Sequence, residues 1–231
     1  MRTSKFHLSS MGRCGVCIML LATSLLVAPS AYADLISIGV QEAGFNGGLI
    51  TTVGTGSGNL VVSGLSYGTF SVLNISAQDF AILGSPDLLN TQSLDISTST
   101  AGVLTIWITA QGVPFTGVAE KFTSSIAVNA LNGSIVQVTE ATYFSPTNAL
   151  YGGTLLHSAT FSGIGTAGPF TTPGAPSGTY SVTQQYVIFD VGGGTGNDNL
   201  TIDFSGTPVP EPASLVLLGA GVLGIAWKLR R

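Results

Sequence analysis

The chain has 231 residues, enough for one domain of ordinary size or two small ones, and only 8% of them are charged. Six of the seven basic residues lie near the two ends, which leaves Lys121 alone against ten acids from Asp34 to Asp203, a net charge of −9 for that stretch. Such a surface repels phosphate backbones and has no basic stripe with which to release counterions, so it excludes a nucleic-acid binder and predicts partners that are neutral, cationic or bridged by metal.

The N-terminus reads as a secretory signal peptide. Arg2, Lys5 and Arg13 precede the apolar run from Val16 to Ala28, and Ala31-Tyr32-Ala33 supplies a small-x-small cleavage pattern. Residues 1–33 are therefore expected to be removed, with Asp34 as the first mature residue, and Met11 is an alternative start. Cys14 and Cys17 form a C-x-x-C, a redox pattern in other settings, but both fall inside the segment that is removed. The mature chain is then free of cysteine and must be held together by its core alone.

From residue 34 to 207 short runs of Val, Ile, Thr, Phe and Tyr recur between clusters of Gly, Pro, Asn and Ser, and almost no run combines helical period with charge. The strands predicted are 35–42, 48–54, 59–65, 69–77, 93–99, 102–111, 121–130, 134–144, 153–162, 179–191 and 199–205. Eight to eleven such strands in one acidic domain predict an all-β fold, a two-sheet antiparallel β-sandwich that is jelly-roll-like or immunoglobulin-like. A signal helix and a C-terminal hydrophobic helix lie outside it. Within this span, residues 77–90 allow a helical turn. Asn132-Gly133, between two alternating segments, predicts a two-residue hairpin, because Asn and Gly tolerate the positive φ such a turn needs. Alternation in 179–191 sets Val182, Gln184, Tyr186 and Ile188 on one side and Thr183, Gln185, Val187, Phe189 and Val191 on the other, predicting a central strand buried on both faces in its second half. Pro-rich 171–178 reads as an exposed loop, and 206–212 as a linker leaving the domain.

Four patterns invite a chemistry. Gly64-Leu65-Ser66-Tyr67-Gly68 matches the G-x-S-x-G nucleophile elbow, but strand residues follow where a helix is needed, and His157 is the one histidine of the mature chain. In a chain with 31 glycines the match is expected by chance. Gly193 to Thr201 fits the nonapeptide G-G-x-G-x-D-x-U-x that binds Ca²⁺ between successive turns of β-helix repeats. One copy gives an incomplete shell. Asp190, Asp198 and Asp203 could add hard oxygen ligands, while the plainer reading is a Gly-Asn-Asp hairpin turn. Tyr67, Trp107, Tyr143, Tyr151 and Tyr180 are candidate stacking platforms for sugar rings. Gly219 to Gly224 reads G-x-G-x-x-G, but without a strand before it or room for a βαβ unit after it the dinucleotide reading fails. No catalytic set and no cofactor is predicted.

The last 24 residues, 208–231, form a separate segment. Pro210-Glu211-Pro212 stops any incoming strand, because neither proline can donate to a ladder. Pro212 to Trp227 carries no charge, and as a helix would span about 24 Å, short of the ~30 Å hydrocarbon core. Lys228, Arg230 and Arg231 follow it, which by the positive-inside rule keeps the C-terminus cytoplasmic and the β domain outside. This order of parts resembles the PEP-CTERM sorting signal of exopolysaccharide-producing Gram-negative bacteria, a tail also catalogued as an ice-binding-protein C-terminal domain. The resemblance implies recognition by an exosortase near Pro210-Glu211-Pro212, transient anchoring in the inner membrane, removal of the helix, and release or attachment at the cell surface. The function expected is a structural or adhesive role linked to exopolysaccharide. A carbohydrate-binding module is the alternative, ahead of a calcium-dependent adhesin or a hydrolase.

Overall fold

The computed structural model describes residues 35–83, 87–98, 100–115, 120–174, 176, 178–192 and 196–208. The cleavage residues Ala31, Ala33 and Asp34 and the sorting residues Pro210, Glu211, Pro212, Lys228, Arg230 and Arg231 lie outside these residues. Twelve strands are found among them: β1 (Leu35–Glu42), β2 (Thr51–Gly56), β3 (Asn59–Tyr67), β4 (Phe70–Asp79), β5 (Asp87–Thr98), β6 (Gly102–Val113), β7 (Glu120–Asn132), β8 (Ile135–Ser145), β9 (Thr154–Phe161), β10 (Gly165–Gly174), β11 (Tyr180–Asp190) and β12 (Gly196–Pro208). Two short helical turns accompany them, a 3-10 turn at Asn46–Gly48 and Phe80–Leu83, which occupies the middle of the stretch where a turn is expected.

All pairings are antiparallel and fall into two six-stranded sheets. Sheet A has the order β2-β1-β6-β11-β8-β9, and sheet B the order β10-β7-β12-β5-β4-β3. The strands β5 to β12 pair in a nested way, β8 with β9, β7 with β10, β6 with β11 and β5 with β12, alternating between sheets A and B. That is one long hairpin, tipped by residues 146–153, rolled so that both arms change sheet together. It gives the eight-strand jelly roll, with β1 and β2 widening sheet A and β3 and β4 widening sheet B. Of the two sandwich plans expected, the jelly roll is the one built.

This winding corrects three readings. The chain does turn at Gly133, whose φ is +70°, but β7 and β8 enter opposite sheets, so Asn132-Gly133 is a corner and not a hairpin. Likewise Gly196, Asn197 and Asp198 begin β12, and no hairpin joins β11 to β12, because the two belong to different sheets; residues 193–195 lie outside the described residues. The segment 171–178 is only partly a loop. Thr171 to Gly174 end β10, which sits at an edge of sheet B where Pro169 and Pro173 lose no ladder partner.

The core follows from alternation. Ile36, Ile38 and Val40 of β1, Leu104, Ile106 and Ile108 of β6, and Val182, Tyr186 and Ile188 of β11 are all fully buried between the sheets. At one end Phe122 packs on Phe144, Tyr180 and Phe204 with centroids 4.9 to 5.8 Å apart, edge and offset contacts that add about 0.5–1.5 kcal/mol each. Polar side chains also cross the interior. Gln184 Nε2 donates to the carbonyls of Leu89 (2.9 Å) and Ile202 (3.0 Å) in the facing sheet, its Oε1 accepts from Thr91, and the Ser124 and Thr142 hydroxyls meet at 2.8 Å. Satisfied pairs of this kind fix the register of one sheet on the other.

The expectation for β11 is half met. It is central, between β6 and β8, but its first half is the part buried on both faces. Ser181 and Thr183 are covered by the 146–153 segment, whereas Val187 and Phe189 are half-buried.

Candidate functional site

The outward side of sheet A brings together residues that are remote in sequence. Across the middle of the sheet, Gly39 of β1 stands opposite Trp107 of β6, Trp107 opposite Gln185 of β11, and Gln185 opposite Ala141 of β8. One step along, Ser37, Thr109, Thr183 and Tyr143 form the next row. Because side chains in a strand alternate, these residues share the face that the core does not use. Trp107 and Tyr143 lie 5.9 Å apart with rings tilted at 44°, and the Tyr143 hydroxyl donates to Gln185 Oε1 at 2.7 Å.

A third ring arrives from the hairpin tip. Asn148 turns the chain back over the sheet with φ of +56°, its carbonyl accepting from Gln111 Nε2 and its Oδ1 from the Gly112 amide, both at 2.8 Å. Ala149 O accepts from the Ser181 hydroxyl at 2.6 Å, and the Tyr151 amide donates to Thr109 Oγ1 at 3.3 Å. Tyr151 itself is left-handed, φ +53°, a conformation that costs about 1–3 kcal/mol in a non-glycine residue unless its surroundings hold it. They hold the far end of the side chain as well as the amide. The hydroxyl pairs with Thr52 Oγ1 of β2 at 2.8 Å, and the hydroxyl end of the ring lies against Gly39, where a Cβ would stand 2.7 Å from Tyr151 Cζ.

The electrostatics of this face are those of a neutral surface. The charged residues of sheet A, namely Glu42, Glu140 and Asp190, all point inward and are buried. Each outward position, from Thr52 and Gln41 to Thr105, Thr139, Gln137 and Thr160, is polar and uncharged or apolar. Burial raises the phenol pKa of Tyr143, and also that of Tyr151, where the Thr52 hydrogen bond opposes it. Both phenols therefore stay neutral at any ordinary pH. The Trp107 indole Nε1 is buried without a hydrogen-bond partner among the described residues. Sheet B differs, since its outward side carries Lys121, Asp95 and Asp203, with Asp87 beside Asp203.

Of the five aromatic residues singled out from sequence, the structure gathers Trp107, Tyr143 and Tyr151 and turns the other two away. Tyr67 is in the core with its hydroxyl on Thr51 (3.0 Å), and Tyr180 is 1% exposed with its hydroxyl on Glu120. Gly39, Gln185 and the covering residues 146–153 were not anticipated as parts of a site. The alternation of β11 set Gln185 on the side opposite Gln184 and Tyr186 without saying which side is outward, and nothing in the sequence ties Gly39 to Tyr151.

Among the described residues the other candidate constellations are not assembled, and Gly193 to Thr195 of the nonapeptide lie outside those residues. Asp190 is inward-facing at the end of β11, where its oxygens accept from Ser134 Oγ (2.9 Å) and the Gly192 amide, while Asp203 lies on the outward side of sheet B and accepts from Asn90 Nδ2. Asp198 is in β12, opposite Leu131. No cluster of three metal-ligating side chains occurs among the described residues. Ser66 is exposed on β3, an edge strand leading into a hairpin and not into a helix. His157 is on β9, at the opposite edge of the sandwich, stacked on Phe170 (5.2 Å) with its Nε2 against Thr172 Oγ1 (2.8 Å). Burial lowers its pKa, which favours the neutral ring.

Comparison with known proteins identifies the tail. Residues 208–231 match the family model of the PEP-CTERM protein-sorting motif, so the C-terminal segment carries that motif, which implies export, processing by an exosortase and a transient membrane-held tail. No curated protein matches the chain. Similar solved structures include TmCBM61 in complex with β-1,4-galactotriose, at 8% identity and a TM-score of 0.28 over 65% of this chain and 88% of that one. Another is a structure of infectious bursal disease virus Gx strain, at 15% identity and a TM-score of 0.29 over 78% of this chain and 57% of that one. Among the described residues no helix is long and apolar enough to cross a membrane.

Proposed function

We propose that this is a non-catalytic, exosortase-sorted surface or matrix protein that adheres to exopolysaccharide through the outward face of sheet A. The observation that carries the reading is the meeting of Trp107, Tyr143 and Tyr151 on one uncharged face of a rigid jelly roll. Sugar rings present apolar C–H faces ringed by hydroxyls. A surface that offers flat aromatic area beside Gln and Thr side chains matches both parts, burying apolar area while keeping the hydroxyls hydrogen-bonded. Placing the platforms on strands and pinning Tyr151 at both ends means little side-chain entropy remains to be lost on binding. The sorting tail supplies the setting, since it sends the domain to the compartment where extracellular polysaccharide accumulates.

The test is retention of residues 34–208 on polysaccharide isolated from the outside of the host cell. An aromatic anchor in a binding face contributes about 2 kcal/mol, so Trp107→Ala is expected to weaken retention roughly 30-fold. Equal retention of the variant, or no retention of the parent chain, would remove the basis for the proposal.

A further inference from the structure

The face also restricts what the polysaccharide can be. We infer that the ligand of the sheet A face is an uncharged polysaccharide, held along an internal segment and read by the hydrogen-bonding groups of Trp107, Gln185 and Tyr143; this rests on the adhesive reading above and narrows it to one chemical class.

Three observations lead there. An anionic glycan needs a cationic counterpart, and the outward positions of all six strands of sheet A hold none. Lys121, the one basic residue among those described, is on the opposite side of the molecule. Calcium could bridge acid to acid, but the acids of sheet A are buried in the core and those on the surface belong to sheet B. Second, the face is broad. Six strands at ~4.8 Å spacing extend about 24 Å; the 146–153 segment covers Ser181 and Thr183, and residues 48–50 lie against Gly39 and Gln41, while Trp107, Gln185, Thr105 and Val187 between them are only half-buried, room for an internal stretch of polymer. Third, the polar groups at its centre are in an incomplete arrangement. Gln185 Oε1 is taken by the Tyr143 hydroxyl, which leaves the Gln185 amide hydrogens as donors, and the Trp107 N–H beside them has no acceptor. An unsatisfied buried donor costs about 1–3 kcal/mol. Hydroxyl oxygens of a sugar can accept from both, with the Trp107 ring shifting to expose its N–H, and no carboxylate or sulfate is required.

The consequence is binding that ignores salt and pH. No group on the face changes charge near neutrality, because Tyr143 and Tyr151 remain protonated. The one histidine among the described residues, His157, faces Thr172 and Phe170 at the sandwich edge.

The experiment uses the full-length chain in mild detergent, with Trp227→Phe so that Trp107 is the single fluorophore of the two tryptophans. It is titrated with glucomannan, xyloglucan and dextran as neutral probes and with alginate and polygalacturonate as anionic ones. The expected result is a Trp107 emission change with at least one neutral polymer, a Kd constant within about twofold between 50 and 500 mM NaCl and between pH 5 and 9, and no change with either anionic polymer. Trp107→Phe keeps an aromatic ring, though a smaller one, and removes the N–H; in a retention assay it is expected to weaken neutral-polymer binding about tenfold with an unaltered melting profile. Binding of the anionic polymers alone, or an affinity that falls steeply with salt, overturns the inference and leaves adhesion standing. Retention of neutral polymer undiminished in both Trp107→Phe and Trp107→Ala overturns the site. Retention of no polysaccharide at all, including the host's own, overturns the adhesive reading with it.

Discussion

Tyr151 is the residue on which the candidate site depends most, and Gly39 is what makes its position possible. Any Cβ at position 39 would meet Tyr151 Cζ at 2.7 Å and Ile50 Cγ2 at 2.8 Å. Gly39→Ala is therefore expected to lift the Tyr151 ring off the sheet and to cost about 1–3 kcal/mol as overpacking, which urea denaturation measures. A neutral effect would mean that the ring has room to yield. Asp203, on the other face, gives a pH prediction. Its carboxyl is held above the ordinary carboxylate range by burial first and by Asp87 second, with the Asn90 hydrogen bond opposing. A raised pKa means the folded protein disfavours the ionised form, so the penalty is present at neutral pH and disappears as pH falls below the carboxylate's ordinary range. Asp203→Asn, neutral throughout, is expected to melt above the parent protein at pH 7 and level with it near pH 3. A gain that persisted at pH 3 would place its origin outside the charge.

At the scale of elements, strands were legible and the route between them was not. Predicted strand 35–42 coincides with β1, and the others fall within a few residues of observed strands, because period-two alternation of Val, Ile and Thr is imposed by burial on one side. The turn signals located the turns but could not say which sheet the next strand would join. Asn132-Gly133 has the residues of a hairpin and serves as a corner, since both arms of the rolled hairpin must change sheet at that level. β10 was missed because its prolines and glycines read as loop, and an edge strand is where such residues are tolerated. The corners are tightly built. Gly192, with φ +78°, would put a Cβ 2.8 Å from the Ala101 backbone nitrogen on the antiparallel pass of the same corner, whereas Gly44, with φ +85°, has open space around it. Alanine at either position bears about 1–2 kcal/mol of left-handed strain. Gly192→Ala is expected to lose clearly more than Gly44→Ala in a thermal melt, and equal losses would show that the corner relaxes.

The whole molecule combines an address and a surface. The address was legible in sequence because sorting depends on order and composition, Pro-Glu-Pro, then an apolar stretch, then basic residues, none of which needs a fold to be recognised. The surface was legible only as a set of aromatic residues. Tyr67 and Tyr180 looked equivalent to Tyr143 and Tyr151, and only the winding of the sheets decided which rings face outward. The outcome is a sandwich with two unlike sides, sheet A neutral and aromatic, sheet B bearing exposed Lys121 and Asp203 and half-buried Asp95. If sheet A holds polysaccharide, the side of the molecule that is altered must matter more than the number of substitutions. The most direct measurement compares retention on host exopolysaccharide of a Trp107→Ala/Tyr151→Ala chain with that of a Lys121→Gln/Asp203→Asn chain, both shown folded by their melting profiles. Loss of retention by the first with full retention by the second is the predicted result; equal retention by both, or loss confined to the second, contradicts the account.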